Sequence, residues 1–159
     1  MIVARFVADR MVERLGRWLR LLGEDVAPAP PDAETLFTAA GEGRVVLTRD
    51  TRLRARLALA GRPHLFIEDD RVEDQLRQVD RVYGLGSQPP LSRCSRCNAL
   101  LGFHAPADLG DRVWPHVART QARLGVCPAC GRIYWQATHV GRMAAFVARA
   151  LGRDLLGTG

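Results

Sequence analysis

The sequence contains no lysine, so each of its 23 basic residues is arginine. It has no cysteine before Cys94, and His64 is the single histidine among residues 1–86. The amino-terminal half therefore lacks the thiol or the histidine pair on which most covalent catalysis depends. Neither GxGxxG nor GxxxxGK[ST] occurs, which removes the usual loops for cradling nucleotide phosphates and makes triphosphate hydrolysis a poor expectation. No stretch approaches the roughly 18 consecutive apolar residues of a membrane span, and the opening MIVARFVADR is too short and too charged for a secretory core. A cytoplasmic chain with no membrane partner is expected.

The cysteines that are present form two pairs, Cys94-Ser-Arg-Cys97 and Cys127-Pro-Ala-Cys130, with 29 residues between them. A secreted disulfide framework would spread its cysteines through the fold. Two Cys-x-x-Cys pairs instead form two knuckles around one tetrahedral ion, and four thiolates leave a zinc ion no open position, so the predicted role is structural. An iron–sulfur centre or a redox pair are the competing readings. After the second knuckle, Ile133, Tyr134 and Trp135 read as a strand whose aromatics either stack bases beside Arg132 or fill the ribbon's own small core. His139 is expected to pack or cap, because four cysteines already complete the shell.

Charge divides along the chain. Residues 1–86 carry 14 arginines and 14 acidic residues, whereas residues 87–159 carry 9 arginines and 3 aspartates. The carboxy-terminal part holds the whole positive excess, which suits phosphate backbones and, on the plainer reading, only solubility.

Strand and helix signals alternate from the start. Strands are predicted over 2–9, 25–27, 44–50 and 64–68. Helices are predicted over 10–22, 32–40 and 51–60, and again around Val72, Leu76 and Val79. That rhythm implies an α/β fold with parallel strands and helices on both sheet faces. A Gly/Pro/Ser linker over 84–92 separates a domain at 1–86 from a second part at 87–159, comprising a small ribbon at about 90–140 and a carboxy-terminal helix carrying Met143, Phe146 and Val147.

In open α/β sheets, ligands bind beyond the carboxyl ends of the strands. Asp9, Asp50 and the pair Asp69/Asp70 each end a predicted strand, and Asp32, with Glu34 as its alternative, begins a helix. Carboxylates gathered there repel one another unless a cation neutralises them, and Mg²⁺ or Mn²⁺ is the natural partner of such oxygen ligands. Phosphodiester hydrolysis by a metal-activated water follows, with Arg10 and Arg49 placed to hold a phosphate. The plainer reading makes Asp9, Asp32 and Asp50 helix caps.

Phe6-Val7-Ala8-Asp9-Arg10-Met11 continuing through Leu15-Gly16-Arg17-Trp18-Leu19-Arg20-Leu21-Leu22-Gly23, then Gly43 to Asp50, Asp74-Gln75-Leu76, and Cys127 to Trp135 with His139, together resemble the Mut-seven C-terminal RNase family of PIN-like nucleases. The resemblance spans residues 2 to about 143. It implies a PIN-like three-layer domain followed by a four-cysteine zinc ribbon, and a Mg²⁺- or Mn²⁺-dependent (endo)ribonuclease. Its acidic residues would fall on Asp9, Asp32 and Asp50, with a fourth at Asp69 or Asp70. RNA is then the substrate, the ribbon's Arg132 and Trp135 assisting. A second reading is a non-catalytic RNA- or ribosome-binding adaptor with a vestigial crevice; a third is a nuclease restrained by a protein inhibitor.

Overall fold

A computed structural model describes residues 3–137 and 139–157. Its first half alternates β1 (Phe6–Ala8), α1 (Glu13–Leu21), β2 (Val26–Ala27), α2 (Ala33–Gly41), β3 (Val45–Thr48), α3 (Thr51–Leu59), β4 (His64–Phe66) and α4 (Val72–Tyr83). All four strands are parallel, in the order β2-β1-β3-β4.

Alternation along the strands builds two cores. Phe6, Ala8, Val45 and Leu47 face α1 and α4, burying Leu15, Leu19, Leu22, Leu76 and Val79. Val7 and Val46 point the other way, against Leu36 and Ala40 of α2 and Leu53 and Leu57 of α3. The period-2 reversal of side chains is thus what produces the three layers. Gly16 lets α1 approach the sheet closely, since a β-carbon there would lie 3.2 Å from that of Ala8.

The predicted first helix splits in two. Arg10–Val12 form a 3₁₀ turn that Asp9 caps, and α1 begins only at Glu13. Met11, which a continuous helix over 10–22 would set on one face with Leu15, Trp18 and Leu22, is exposed.

The second half holds an antiparallel sheet in the order β5 (Gly102–His104), β6 (Leu124–Val126), β7 (Ile133–Tyr134). A 3₁₀ segment over Pro106–Arg112 and α5 (Pro115–Thr120) are inserted between β5 and β6, and Leu109, Val113 and Val117 form a small core with Leu124. The last helix, α6 (His139–Leu151), returns to the first half. Ala144, Val147 and Ala150 join the core of α1 and α4, and Phe146 stacks on Trp18 with ring centroids 4.3 Å apart. Among the described residues no helix is long and apolar enough to cross a membrane.

Candidate functional site

The chain leaves β1 to one side, through α1 to β2, and returns across β1 to form β3 on the other. The carboxyl ends of β1 and β3 therefore flank the point where strand order reverses, the usual crevice of such sheets. Asp9 follows β1 and Asp50 follows β3. Asp9 is 5% exposed and accepts four hydrogen bonds: from the backbone N–H of Met11 at 2.7 Å, Val12 at 3.3 Å and Arg49 at 3.2 Å, and from the Thr48 hydroxyl. The same Thr48 oxygen accepts from the N–H of Asp50 at 2.9 Å. Thr48, which the sequence reading did not single out, thus ties the two aspartates together from a fully buried position.

Asp50 caps α3 with Oδ1, accepting from Arg52 N at 2.8 Å and Leu53 N at 3.0 Å, and among the described residues no hydrogen bond occupies its Oδ2. Asp32 caps α2 in the same way, through Thr35 N at 2.7 Å and Thr35 Oγ1 at 2.9 Å, and these bonds hold its carboxyl below the usual carboxylate range. The capping reading therefore holds for all three, and it leaves Asp50 an oxygen to spare. Glu34 is committed elsewhere, paired with Arg56 of α3 at 2.8 Å, which lowers its pKa.

Beyond β4, Arg49 straps the crevice wall. It donates to the carbonyls of Ile67 and Asp69 and pairs with exposed Asp70 at 2.6 Å. Asp69 contributes its carbonyl, which also accepts from Gln75 Nε2 at 2.8 Å. The acids thus line the carboxyl edge in strand order: Asp32, Asp9, Asp50, then Asp69 and Asp70. Asp9 and Asp50 come one and two residues after the two central strands, which lie about 4.8 Å apart, whereas Asp32 comes five residues after β2 and Asp69 three after β4. Arg10 is exposed at the crevice rim.

The four cysteines do converge. One sulfur from each lies within 4.8 Å of the others, and Cys94 Sγ is 3.9 Å from Cys130 Sγ, close to the roughly 3.8 Å edge of a tetrahedron with ~2.3 Å zinc–sulfur bonds. Two knuckles of one design hold them. Cys97 N donates to Cys94 Sγ at 3.3 Å and Cys130 N to Cys127 Sγ at 3.4 Å. Asn98 N and Gly131 N each donate at 2.9 Å to the carbonyl of the first cysteine in their knuckle, and both residues have positive φ, 68° and 74°. Asparagine and glycine are the residues that tolerate this left-handed turn.

The charge in this cluster also calls for a cation. Burial opposes ionisation of Cys94, but hydrogen bonds from the Tyr134 hydroxyl and from the backbone at Cys97 and Arg96 outweigh it and bring the thiol down to about 6. Cys97 is pushed up to about 12 by its hydrogen bond with Cys130, by burial, and by the charge of Cys94. Thiols this close cannot all ionise unaided, and a bound zinc ion would supply the missing charge. The cluster fits structural zinc.

A family model described as the Mut7-C RNAse domain matches residues 4–147. The chain belongs to that RNase family. No curated protein and no solved structure gives a match.

Within this RNase chain the first knuckle is bound to the parallel sheet. Val26 turns its N–H and C=O away from β1, along the free edge of β2. Asn98 Oδ1 accepts from that N–H at 2.9 Å, and Arg20 Nε donates to that C=O at 2.8 Å. Arg20 is 0% exposed and also bonds the Ser95 carbonyl and, at 2.9 Å, Glu13. Asn98 Nδ2 reaches Asp25 at 2.7 Å. Asp25 is partly buried, which would raise its pKa, but bonds from Arg44 and Asn98 lower it overall. The edge strand is closed by the first cysteine knuckle, a standard defence against edge-to-edge pairing. Along the helix predicted over 10–22 the periodicity sets Arg10, Arg14, Arg17 and Arg20 mostly away from the apolar face; the first three are exposed, whereas Arg20 is buried.

Of the ribbon residues expected to meet substrate, Arg132 is exposed and uses its carbonyl to accept from Cys127 N at 2.9 Å. Tyr134 turns its hydroxyl onto Cys94 at 3.0 Å, whereas Trp135 remains 38% exposed. His139 is exposed at the start of α6.

Proposed function

We propose that this chain is a metal-dependent ribonuclease of PIN-like type, with residues 1–86 as the cleaving domain and residues 87–159 as a basic zinc ribbon and helix that help hold RNA. Membership of an RNase family makes RNA the substrate class. The observation that carries the rest is the pairing of Asp9 and Asp50 through one buried hydroxyl at the strand-order reversal.

The donor set suits Mg²⁺ or Mn²⁺, which take oxygen ligands and are commonly held by one or two carboxylates together with water and substrate phosphate. Asp50, with Oδ2 unoccupied, would be the principal ligand, and Asp9 would join as the second by giving up one of its longer bonds, from Val12 N at 3.3 Å or Arg49 N at 3.2 Å. When bound, such an ion lowers the pKa of an attacking water and offsets charge on the phosphate. Asp9 and Thr48 fix the position of the Asp50 backbone. Asp32 and Asp69 lie at the outer strands, where they would order water or a second ion. Arg49 and Arg10 would meet the phosphate, Arg49 by exchanging its partner Asp70 for a phosphate oxygen. The zinc ribbon contributes Arg132 and Trp135 to the RNA surface.

The test is cleavage of labelled single-stranded and structured RNAs by the full chain with Mn²⁺, with EDTA, and with the paired Asp9→Asn and Asp50→Asn variant. Cleavage that needs both the ion and the two aspartates supports the reading. RNA binding without cleavage, unchanged in the variant, favours an RNA-binding adaptor.

A further inference from the structure

The ribbon, the end of α1 and the start of α6 enclose a cavity of about 680 Å³. It is remote from the acidic crevice. Helix α1 begins beside Asp9 at the carboxyl edge of the sheet and ends at Leu21, on the amino edge, where Leu21 lines this cavity. Nine helical residues at 1.5 Å each put about 14 Å of helix between its two ends.

The lining has a definite chemistry. Phe103 and Trp135 present ring surface and are 47% and 38% exposed. No acidic residue lines the space, while Arg93 and Arg123 both do. Arg93 is spent on the carbonyls of Gly23 and Asn98. Arg123 lies over the Phe103 ring, 5.3 Å from its centroid, and among the described residues its guanidinium meets no carboxylate. The side chains of Gln136 and His139 also line the cavity and, among the described residues, have no hydrogen-bond partner. Open aromatic faces, a cation without a counter-ion and unpaired amide and imidazole groups are what an unstacked base with its phosphate engages.

We infer that this cavity takes a base of single-stranded RNA, with its ring against Phe103 and Trp135, its edge toward Gln136 and its phosphate on Arg123. The inference rests on RNA as the substrate and adds a second contact on the far side of the sheet. An RNA filling both sites must be unpaired and run along α1, so single strands are favoured over duplexes, whose bases are already stacked.

The test is fluorescence anisotropy of the full zinc-loaded chain with a labelled single-stranded RNA of about 15 nucleotides, a duplex of equal length, and single-stranded DNA of the same sequence. No Mg²⁺ or Mn²⁺ is added, so binding is read independently of cleavage. Phe103→Ala and Arg123→Gln are each expected to weaken single-strand RNA binding roughly tenfold and to change duplex binding by less than about twofold. Trp135→Ala should lose affinity similarly and Trp135→Phe should keep most of it. A fall shared with DNA identifies the base as the recognised group, and one confined to RNA adds the 2′-hydroxyl; either supports the pocket. These positions are exposed, and an unchanged thermal midpoint and one zinc per chain verify folding. Single-strand affinity unchanged in Phe103→Ala and Arg123→Gln overturns the inference, as does a change of oligomeric state in place of a change in RNA binding. Loss of affinity in a chain that cleaves nothing keeps the pocket and removes the nuclease reading.

Discussion

At the scale of single residues, Asp9 and Asp50 have different tolerances for asparagine. Asp9 receives four donors, filling the acceptor positions of its carboxylate. An asparagine there turns an amide N–H₂ toward groups that themselves donate, leaving a buried N–H unpaired. Asp50 keeps one oxygen on the α3 amides, a task asparagine performs equally well. Thr48 belongs with Asp9. Thr48→Val keeps the shape of the side chain and removes both its bonds, so it should cost about 1–3 kcal/mol in urea denaturation, while Thr48→Ser should be close to wild type. Asp9 and Asp50 were legible as strand-end residues and Asp32 as the start of a helix. Thr48 was not, since a threonine ending a β-branched run carries no mark of where its hydroxyl points.

At the scale of elements, the clearest dependence is that of β2 on its neighbours. Two residues long, with one side open, it is completed by Arg20 and by the first cysteine knuckle. Arg20→Ala leaves the carbonyls of Val26 and Ser95 and Oε1 of Glu13 without the arginine as donor. A loss of about 3–5 kcal/mol is expected in thermal or urea unfolding, with little recovery by Arg20→Lys, whose single ammonium lacks the guanidinium's fixed fork. Alternating patterns fixed the order of strands and helices in advance. The bond between Arg20 and a residue 75 positions away is tertiary and left no periodic trace.

The far end of α6 is held by charge. Arg153 makes two bonds to Asp80 at 2.6 and 2.7 Å and holds its carboxyl below the usual range against partial burial. A depressed carboxyl contributes stability above its ordinary pKa of about 3.9, and that contribution is lost as pH falls through the folded value. The thermal midpoint of Asp80→Asn should therefore lie below wild type at pH 6 by the equivalent of about 1 kcal/mol, the partly exposed arginine being screened, and the difference should shrink below about pH 4. A gap that does not narrow as the pH is lowered from 6 through 4 contradicts this assignment.

At the scale of the whole molecule, two kinds of order meet: a parallel sheet that buries its strands on both faces, and a four-cysteine ribbon whose apolar core is small. The two Cys-x-x-Cys pairs announced the ribbon because thiolate chemistry fixes their spacing. The 3₁₀ segment and α5 between β5 and β6 gave no such signal; short helices containing proline and glycine resemble loops in sequence. Charge remains divided, with arginine in excess over acid beyond residue 87. RNA binding should accordingly weaken with salt, and Arg123→Gln and Arg132→Gln should each reduce the slope of log K against log salt by about 0.7, the value for one phosphate contact on a single strand.

The central claim is that Asp50 caps a helix and also serves the reaction. The measurement is cleavage of single-stranded RNA with Mn²⁺ by Asp50→Asn, made beside its thermal midpoint. The account predicts a loss of activity of at least about a hundredfold, the scale reached when a metal's supporting groups are removed, with a midpoint within a few degrees of wild type because asparagine preserves the cap. Undiminished cleavage at an unchanged midpoint would contradict it and leave Asp50 as a helix cap alone.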